Sequence, residues 1–336
     1  MKTELLDLTT ENIELAAKMI AEGKLVAFPT ETVYGLGADA MNSSAVGKVY
    51  AAKGRPSDNP MIVHIAEKAD LARLTPVVTD VMNALMKAFW PGPLTMVVSK
   101  MPGIPDATTG GLDSVGVRMP SDETARALIR KSGCSIAAPS ANISGRPSPT
   151  RPQHVVEDLD GKIDAILMGH ECQVGIESTV IDVTGDVPII LRPGIITQKE
   201  LENAIGQKVE MDPALFVNRP RDVSQPGFKP KAPGMKYKHY APKAEMMIIS
   251  GEITKVKTEI DRLKSENEAE GKEVGVILFE DNQFREAAHD FFAKLREFDE
   301  KAVDLILAGA LDTNDGVGFA VMNRMLKSAG YSVINV

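Results

Sequence analysis

Lys53-Gly54-Arg55-Pro56-Ser57-Asp58-Asn59-Pro60 joins a segment that reads as a helix, Ser43 to Ala52, to one that reads as a strand, Met61 to Ala66. Within the loop, prolines fix their own φ and hold Arg55 and Asn59 extended, while Gly54 lets backbone approach a partner closely. Two cations on such a pre-ordered loop suit an anion, phosphate above all, because little side-chain entropy remains to be lost on binding. The plainer reading is a solvated turn whose lysine complements a helix C-terminus.

Upstream, apolar residues at helical spacing from Glu11 to Glu22, with Ser43 as the cap of the next helix, flank Lys24-Leu25-Val26-Ala27-Phe28, a buried strand. That strand runs into the polar loop Pro29-Thr30-Glu31-Thr32-Val33-Tyr34-Gly35-Leu36-Gly37, and polar groups at the end of a central strand are well placed for a site. Gly35-x-Gly37-x-x-Ala40 matches a dinucleotide fingerprint only nominally, since it is not at a strand-to-helix turn. Downstream, His64 alternates with Val63 and Ile65 in its strand, which suits a hydrogen-bonded structural residue as well as a site residue. One or two helices over Leu71 to Phe89, interrupted near Pro76, precede strands Leu94 to Val98 and Val115 to Pro120. Arg118 in the second of these is costly to bury without an anion, supplied by a protein carboxylate or by a ligand. A helix, Asp122 to Lys131, and a strand, Ser135 to Ala138, lead to Pro139-Ser140-Ala141-Asn142-Ile143-Ser144-Gly145, a second loop of short donors between Pro and Gly. Ser178 lies near the start of a strand over Gly175 to Val183, Arg192 ends the apolar run Ile189-Ile190-Leu191, and Thr197 caps a helix to Ile205. Leu112 occupies the first glycine position of a would-be nucleophile elbow, so Ser114 does not read as a hydrolase nucleophile.

The chain has 336 residues, more than one core usually organises, so two domains are expected. Its net charge of −8 argues against a protein that coats nucleic acid nonspecifically. The two cysteines, Cys134 and Cys172, are too few and too far apart for a disulfide framework or a zinc site. Neither a signal peptide nor a membrane span is legible, and a cytoplasmic location is expected.

From Asp212 to Lys243 the composition shifts: six prolines, and seven Lys and Arg against two Asp. Such a strip is either a tether or a lid over a polyphosphate site, and its aromatic end, running to His239-Tyr240-Ala241-Pro242, favours the lid. Beyond it, strands Glu245 to Ile249, Glu273 to Leu278 and Val303 to Leu307 alternate with helices Ile253 to Glu268, Gln283 to Phe298 and Val317 to Lys327. That alternation implies a small parallel sheet.

Taken together, Pro29 to Gly37, Lys53-Gly54-Arg55-Pro56, Asn59-Pro60, Pro139 to Gly145, Arg192-Pro193-Gly194 and His239 to Pro242 resemble the YrdC family, in its longer two-domain form, the L-threonylcarbamoyladenylate synthases. The resemblance implies a twisted, mixed open sheet with helices and a large cavity over residues 1–211, a proline-rich basic linker or lid over 212–243, and a small Rossmann-like parallel α/β domain over 244–336. It implies condensation of L-threonine, bicarbonate and ATP to threonylcarbamoyl-AMP and pyrophosphate. The product feeds a separate transferase that modifies adenosine next to the tRNA anticodon, and stable tRNA binding is not required. By the same resemblance Lys53, Arg55, Ser140 and Asn142 are catalytic. Arg55, Asn59, Ser114, Ser140, Asn142, Arg192 and Tyr237 go to ATP, and Thr32, His64, Arg118 and Ser178 to threonine. Mg²⁺ is expected on the phosphates with no protein metal cage. Lys238 stands where arginine is expected, which affects a bidentate phosphate contact there. The rival reading is an RNA-binding or ribosome-assembly module.

Overall fold

The structure is a computed structural model that describes residues 2–216, 239–280, 283–314 and 316–336. Short apolar segments, most of them three to six residues, make the larger sheet. Its strands are β1 (Glu4–Asp7), β2 (Val26–Phe28), β3 (Gly35–Asp39), β4 (Ile62–His64), β5 (Leu94–Ser99), β6 (Ser114–Arg118), β7 (Ile136–Ala137), β8 (Ala165–Met168), β9 (Thr179–Asp182), β10 (Ile189–Arg192) and β11 (Glu210–Met211). They lie in the order β1-β8-β2-β3-β7-β4-β6-β5-β9-β10-β11. Pairing is mixed, parallel for β4 with β6 and β5 with β9, antiparallel for β2 with β3 and β5 with β6. Helices α1 (Thr10–Ala21), α2 (Ser43–Lys53), α3 (Asp80–Phe89), α4 (Asp106–Thr109), α5 (Glu123–Ser132), α6 (Pro152–Leu159) and α7 (Gln198–Ile205) accompany this sheet.

The second sheet is wholly parallel. β12 (Glu245–Ser250), β13 (Val274–Ile277), β14 (Leu305–Gly309) and β15 (Val333–Asn335) lie in the order β13-β14-β12-β15, linked by α8 (Ile253–Ala269), α9 (Phe284–Lys301) and α10 (Gly316–Ser328). The three strands and three helices expected here are present, and β15 adds a fourth strand whose exposed, short sequence carries no run signal.

Some local expectations are corrected and others are refined. Asn42, not Ser43, caps α2, because its Oδ1 accepts from the amides of Ser44 and Ala45. The Leu71–Phe89 stretch splits into a 3-10 turn (Lys68–Arg73) and α3, which Thr79 caps. The strand expected over Gly175 to Val183 is only β9, so Ser178 lies just before it. Gly35 and Gly37 belong to β3, not to a helix-opening turn. A Cβ on Gly37 would sit 2.8 Å from the Phe28 ring and 2.9 Å from Ile136, so this glycine allows close packing and cradles no phosphate. Thr197 does cap α7, with Glu200 completing a capping box.

One apolar core joins the two sheets, running from Leu25, Val63 and Met96 to Ile248, Phe291, Phe292 and Met325. Polar groups cross the same boundary. Arg296 of α9 is wholly buried and donates to Asp158 of α6 at 2.8 Å and to the Pro147 carbonyl at 2.6 Å. Arg146 shares Asp158 and also reaches Glu157 at 2.8 Å. Removing one member of such a buried cluster strands the others, at a cost of about 3–5 kcal/mol.

Candidate active site

The two loops that the sequence marks as alike are held together. α2 ends on Lys53, and Gly54 closes it in the left-handed region at φ 60°. The Lys53 ammonium, 2% exposed, then reaches across to the Ser140 and Asn142 carbonyls, with Asn142 Oδ1 at 3.4 Å. Burial, aided by the neighbouring Arg55 charge, pushes its pKa well below the ordinary lysine value. Lys53 thus spends its donors on fixing the 139–145 loop. The same loop is stitched to the strand-end loop at Leu36 N to Pro139 O, 2.9 Å, and Ala141 N to Tyr34 O, 2.8 Å. Ser140 Oγ donates to Asn142 Oδ1, while Asn142 Nδ2 donates to the Ile143 and Arg146 carbonyls.

A single cavity is lined by Lys53, Arg55, Ser140, Asn142, Arg192, Thr32, His64, Arg118 and Ser178, which are nine of the twelve residues singled out from the sequence. Asn59 and Ser114 are not on its wall. Asn59 is buried beside it, its carbonyl accepting from Arg55 Nη2 at 3.3 Å and from Tyr50 Oη at 3.0 Å. Ser114 stands at the other end of β6 from Arg118, paired with Ser99. Tyr237 and Lys238 lie outside the described residues, as does most of the 212–243 strip. Its end is described, and His239 and Tyr240 both line the cavity. Tyr240 is 6% exposed and rests on Phe292 of α9, with ring centroids 5.1 Å apart.

Charge in the cavity is unevenly balanced. Arg118 meets Glu31 at 2.8 Å and donates to Thr32 Oγ1 at 2.9 Å. Glu31 is not on the cavity wall but pairs with Arg118 there, and sequence reading missed it. It stands in the quoted loop, but its partner lies 87 positions away and leaves no local trace. Arg55 and Arg192 differ: among the described residues neither is ion-paired to a carboxylate. Arg55 donates to backbone carbonyls and keeps a buried Nε with no partner, and burial lowers its pKa to about 10. Arg192 donates to Ser178 O and Ser178 Oγ, each at 3.1 Å, and burial lowers its pKa as well. Burial, reinforced by Arg118, holds His64 down to about 3; burial, reinforced by Arg55, does the same for His239. Both imidazoles are therefore neutral at pH 7, and His64 Nδ1 is buried without a partner. Cations crowded in a desolvated pocket, with few counter-charges, make an anion receptor.

Among the described residues no group of three or more His, Cys, Asp and Glu is arranged to hold a metal. Glu177, an acid on the wall, faces Arg324 at 3.1 Å, and Glu31, which is not on the wall, faces Arg118. This donor set fits a Mg²⁺ carried by nucleotide phosphates and water, and not a carboxylate cage.

Guanidinium, hydroxyl and neutral imidazole groups thus meet at the strand ends of a mixed sheet, beside a small parallel domain, an arrangement consistent with the two-domain YrdC-class enzymes that the sequence resembles. A family model described as "Telomere recombination" matches residues 18–194, and one described as "Threonylcarbamoyl-AMP synthase, C-terminal domain" matches 196–330. The chain is 47% identical over 334 residues to the threonylcarbamoyl-AMP synthase of Pyrococcus abyssi, covering 96% of each. It is 44% identical over 352 residues to that of Bacillus subtilis, covering 99% of this chain and 97% of that one. A shorter Mycobacterium tuberculosis protein, a putative threonylcarbamoyl-AMP synthase, is 35% identical over 197 residues, 59% of this chain. The crystal structure of P. abyssi Sua5 complexed with L-threonine superposes with a TM-score of 0.92 at 44% identity, covering all of both chains. The chain belongs to the threonylcarbamoyl-AMP synthase family, in its two-domain form.

Proposed function

We propose that this chain condenses L-threonine, bicarbonate and ATP into threonylcarbamoyl-AMP, pyrophosphate and water, as a nucleotidyltransferase. The observation that carries the ATP half is the pair of guanidiniums, Arg55 and Arg192, that face the cavity and, among the described residues, form no ion pair with a carboxylate. The threonine half rests on Arg118, Thr32, His64 and Ser178 along the same wall, where Arg118 Nε and His64 Nδ1 are buried and have no hydrogen-bond partner among the described residues. Arg118 takes the threonine carboxylate on the part of its guanidinium that Glu31 leaves open. His64 acts as a neutral hydrogen-bond acceptor, because a group held near 3 is a weak base at pH 7.

The threonine amine attacks the carbon of the CO2 equivalent, forming the N–C bond of a carbamate while the carbonate hydroxyl leaves as water. A carbamate oxygen then attacks the α-phosphorus, and the bond to the bridging oxygen of the β-phosphate breaks, releasing pyrophosphate. No protein nucleophile is needed. Positioning and fixed charge supply the acceleration, and each contributes several kcal/mol in a water-poor site. Bound Mg²⁺ supplies charge neutralisation on the leaving pyrophosphate. Ser140 and Asn142 face the nucleotide from a loop that Lys53 holds, which makes Lys53 a positioning group.

The product is an activated carbamoyl donor, and we assign its use to a separate transferase acting on adenosine next to the tRNA anticodon, in the cytoplasm. Among the described residues no helix is long and apolar enough to cross a membrane. The RNA-binding alternative is not favoured, since these cations are gathered inside a cavity and not spread over a face. The deciding experiment mixes purified protein with the three substrates and separates the nucleotides. Acyl-adenylate and pyrophosphate should appear only when all three are present, and a folded protein that makes neither would overturn the reading.

A further inference from the structure

Arg324 belongs to α10 of the C-terminal domain, yet its guanidinium is 1% exposed and lies in the wall of the catalytic domain. Its Nε donates to Glu177 Oε2 at 3.1 Å, its Nη2 to the Glu177 carbonyl at 3.4 Å, and its Nη1 to the Pro193 carbonyl at 2.5 Å and the Ala320 carbonyl at 2.9 Å. Glu177 directly precedes Ser178, and Pro193 directly follows Arg192. Arg324 therefore brackets from outside the two residues that bond each other inside the cavity. Glu177 also accepts from Ser148 Oγ at 2.6 Å, with the Tyr240 hydroxyl and the Lys327 ammonium close by. With its charge matched by Arg324, Glu177 does not capture Arg192, and the Arg192 charge stays available to the cavity. An acid this deeply buried takes whatever cation is nearest.

We propose that Arg324 is a positioning residue of the active site, and that the C-terminal domain serves catalysis by neutralising Glu177 so that Arg192 and Ser178 remain directed at substrate. The inference rests on the reading above that the cavity binds ATP and threonine. Replacing the guanidinium by an apolar chain of similar length leaves Glu177 beside Arg192. The pair then closes on itself, and the nucleotide loses a cation.

The test compares wild type, Arg324→Met, and Arg324→Met combined with Glu177→Gln, each checked for a thermal transition. ATP binding is measured by calorimetry and turnover separately. Arg324→Met should weaken ATP binding and kcat/KM for ATP by roughly 30-fold, the scale of losing one hydrogen bond to a charged group. The double variant, which removes the stray carboxylate with its partner, should recover to within about threefold of wild type. A purely structural clamp predicts the opposite order, with the double variant as impaired as the single or worse, and that result would overturn the proposal. If the single variant does not fold, the double variant decides alone: ATP affinity near wild type supports the proposal and loss of it refutes it. A wild type that binds ATP but forms no acyl-adenylate would count against the proposed reaction, while the binding comparison would still judge Arg324.

Discussion

Replacing Lys53 with methionine separates two roles that a lysine beside a nucleotide site can have. In the structure its ammonium lies on the Ser140 and Asn142 carbonyls, with Asn142 Oδ1 at 3.4 Å. Methionine fills nearly the same volume but leaves both carbonyls buried with nothing to accept from. Each orphaned acceptor costs about 1–3 kcal/mol, so the gross loss is about 2–6 kcal/mol. Relief from burying a charge offsets part of it, since burial already drives Lys53 well below the ordinary lysine pKa. A net destabilisation of about 2–4 kcal/mol is expected. Equilibrium urea unfolding reads this directly, and an ATP titration on the same sample reads the loop. Both should fall together, because the loop bearing Ser140 and Asn142 is what Lys53 holds. Unchanged stability with ATP binding abolished would mean that Lys53 contacts phosphate directly, and the account of loop support would be wrong.

Arg55→Ala should behave differently. Arg55 is half-buried and bonded only to backbone carbonyls of its own loop, so unfolding should shift by less than about 1 kcal/mol while ATP-dependent turnover falls at least about 100-fold. Turnover near wild type would return this loop to a plain turn. Acid stability should also be distinctive. His64, His154 and His239 are each held at about 3, against an ordinary value near 6.5, with burial the first cause in each. The native state therefore stays unprotonated where the unfolded chain binds protons. The stability of the neutral form is complete above pH 6.5 and drains as pH falls from there toward 3, by about 1.4 kcal/mol per pH unit for each histidine. A melting temperature that is flat between pH 8 and 5 would contradict this, and His154→Gln should flatten the slope by about a third if it folds.

Much of the site was legible because its local chemistry is unusual. Loops in which Pro and Gly flank short donors and cations announce themselves, and the two that stood out, 53–60 and 139–145, meet at the Lys53 ammonium. Alternating strands and helices likewise foretold the parallel C-terminal sheet. The residues that balance charge were not legible. Glu31, Glu177 and Arg324 matter only through partners 87 to 147 positions away, and no local pattern records such a pairing. The unexpected elements have weak signals of their own: β1 is four residues with one buried, and α6 begins at Arg151-Pro152 with no side-chain cap. Gly35-x-Gly37, only a nominal match to a dinucleotide fingerprint, owes its spacing to the ring of Phe28 pressing on an adjacent strand.

The seam that α9 and α10 make with the larger sheet has a bearing on how long and short members of this family relate. Truncating this chain after residue 211 would bare the surface under Phe291 and Phe292 and leave Asp158 without Arg296 and Glu177 without Arg324. Such a stump would be an oily, overcharged fragment and not a working miniature. Natural short forms must resurface that flank with their own residues, so gain or loss of the extra third in evolution entails rewriting the wall it touches.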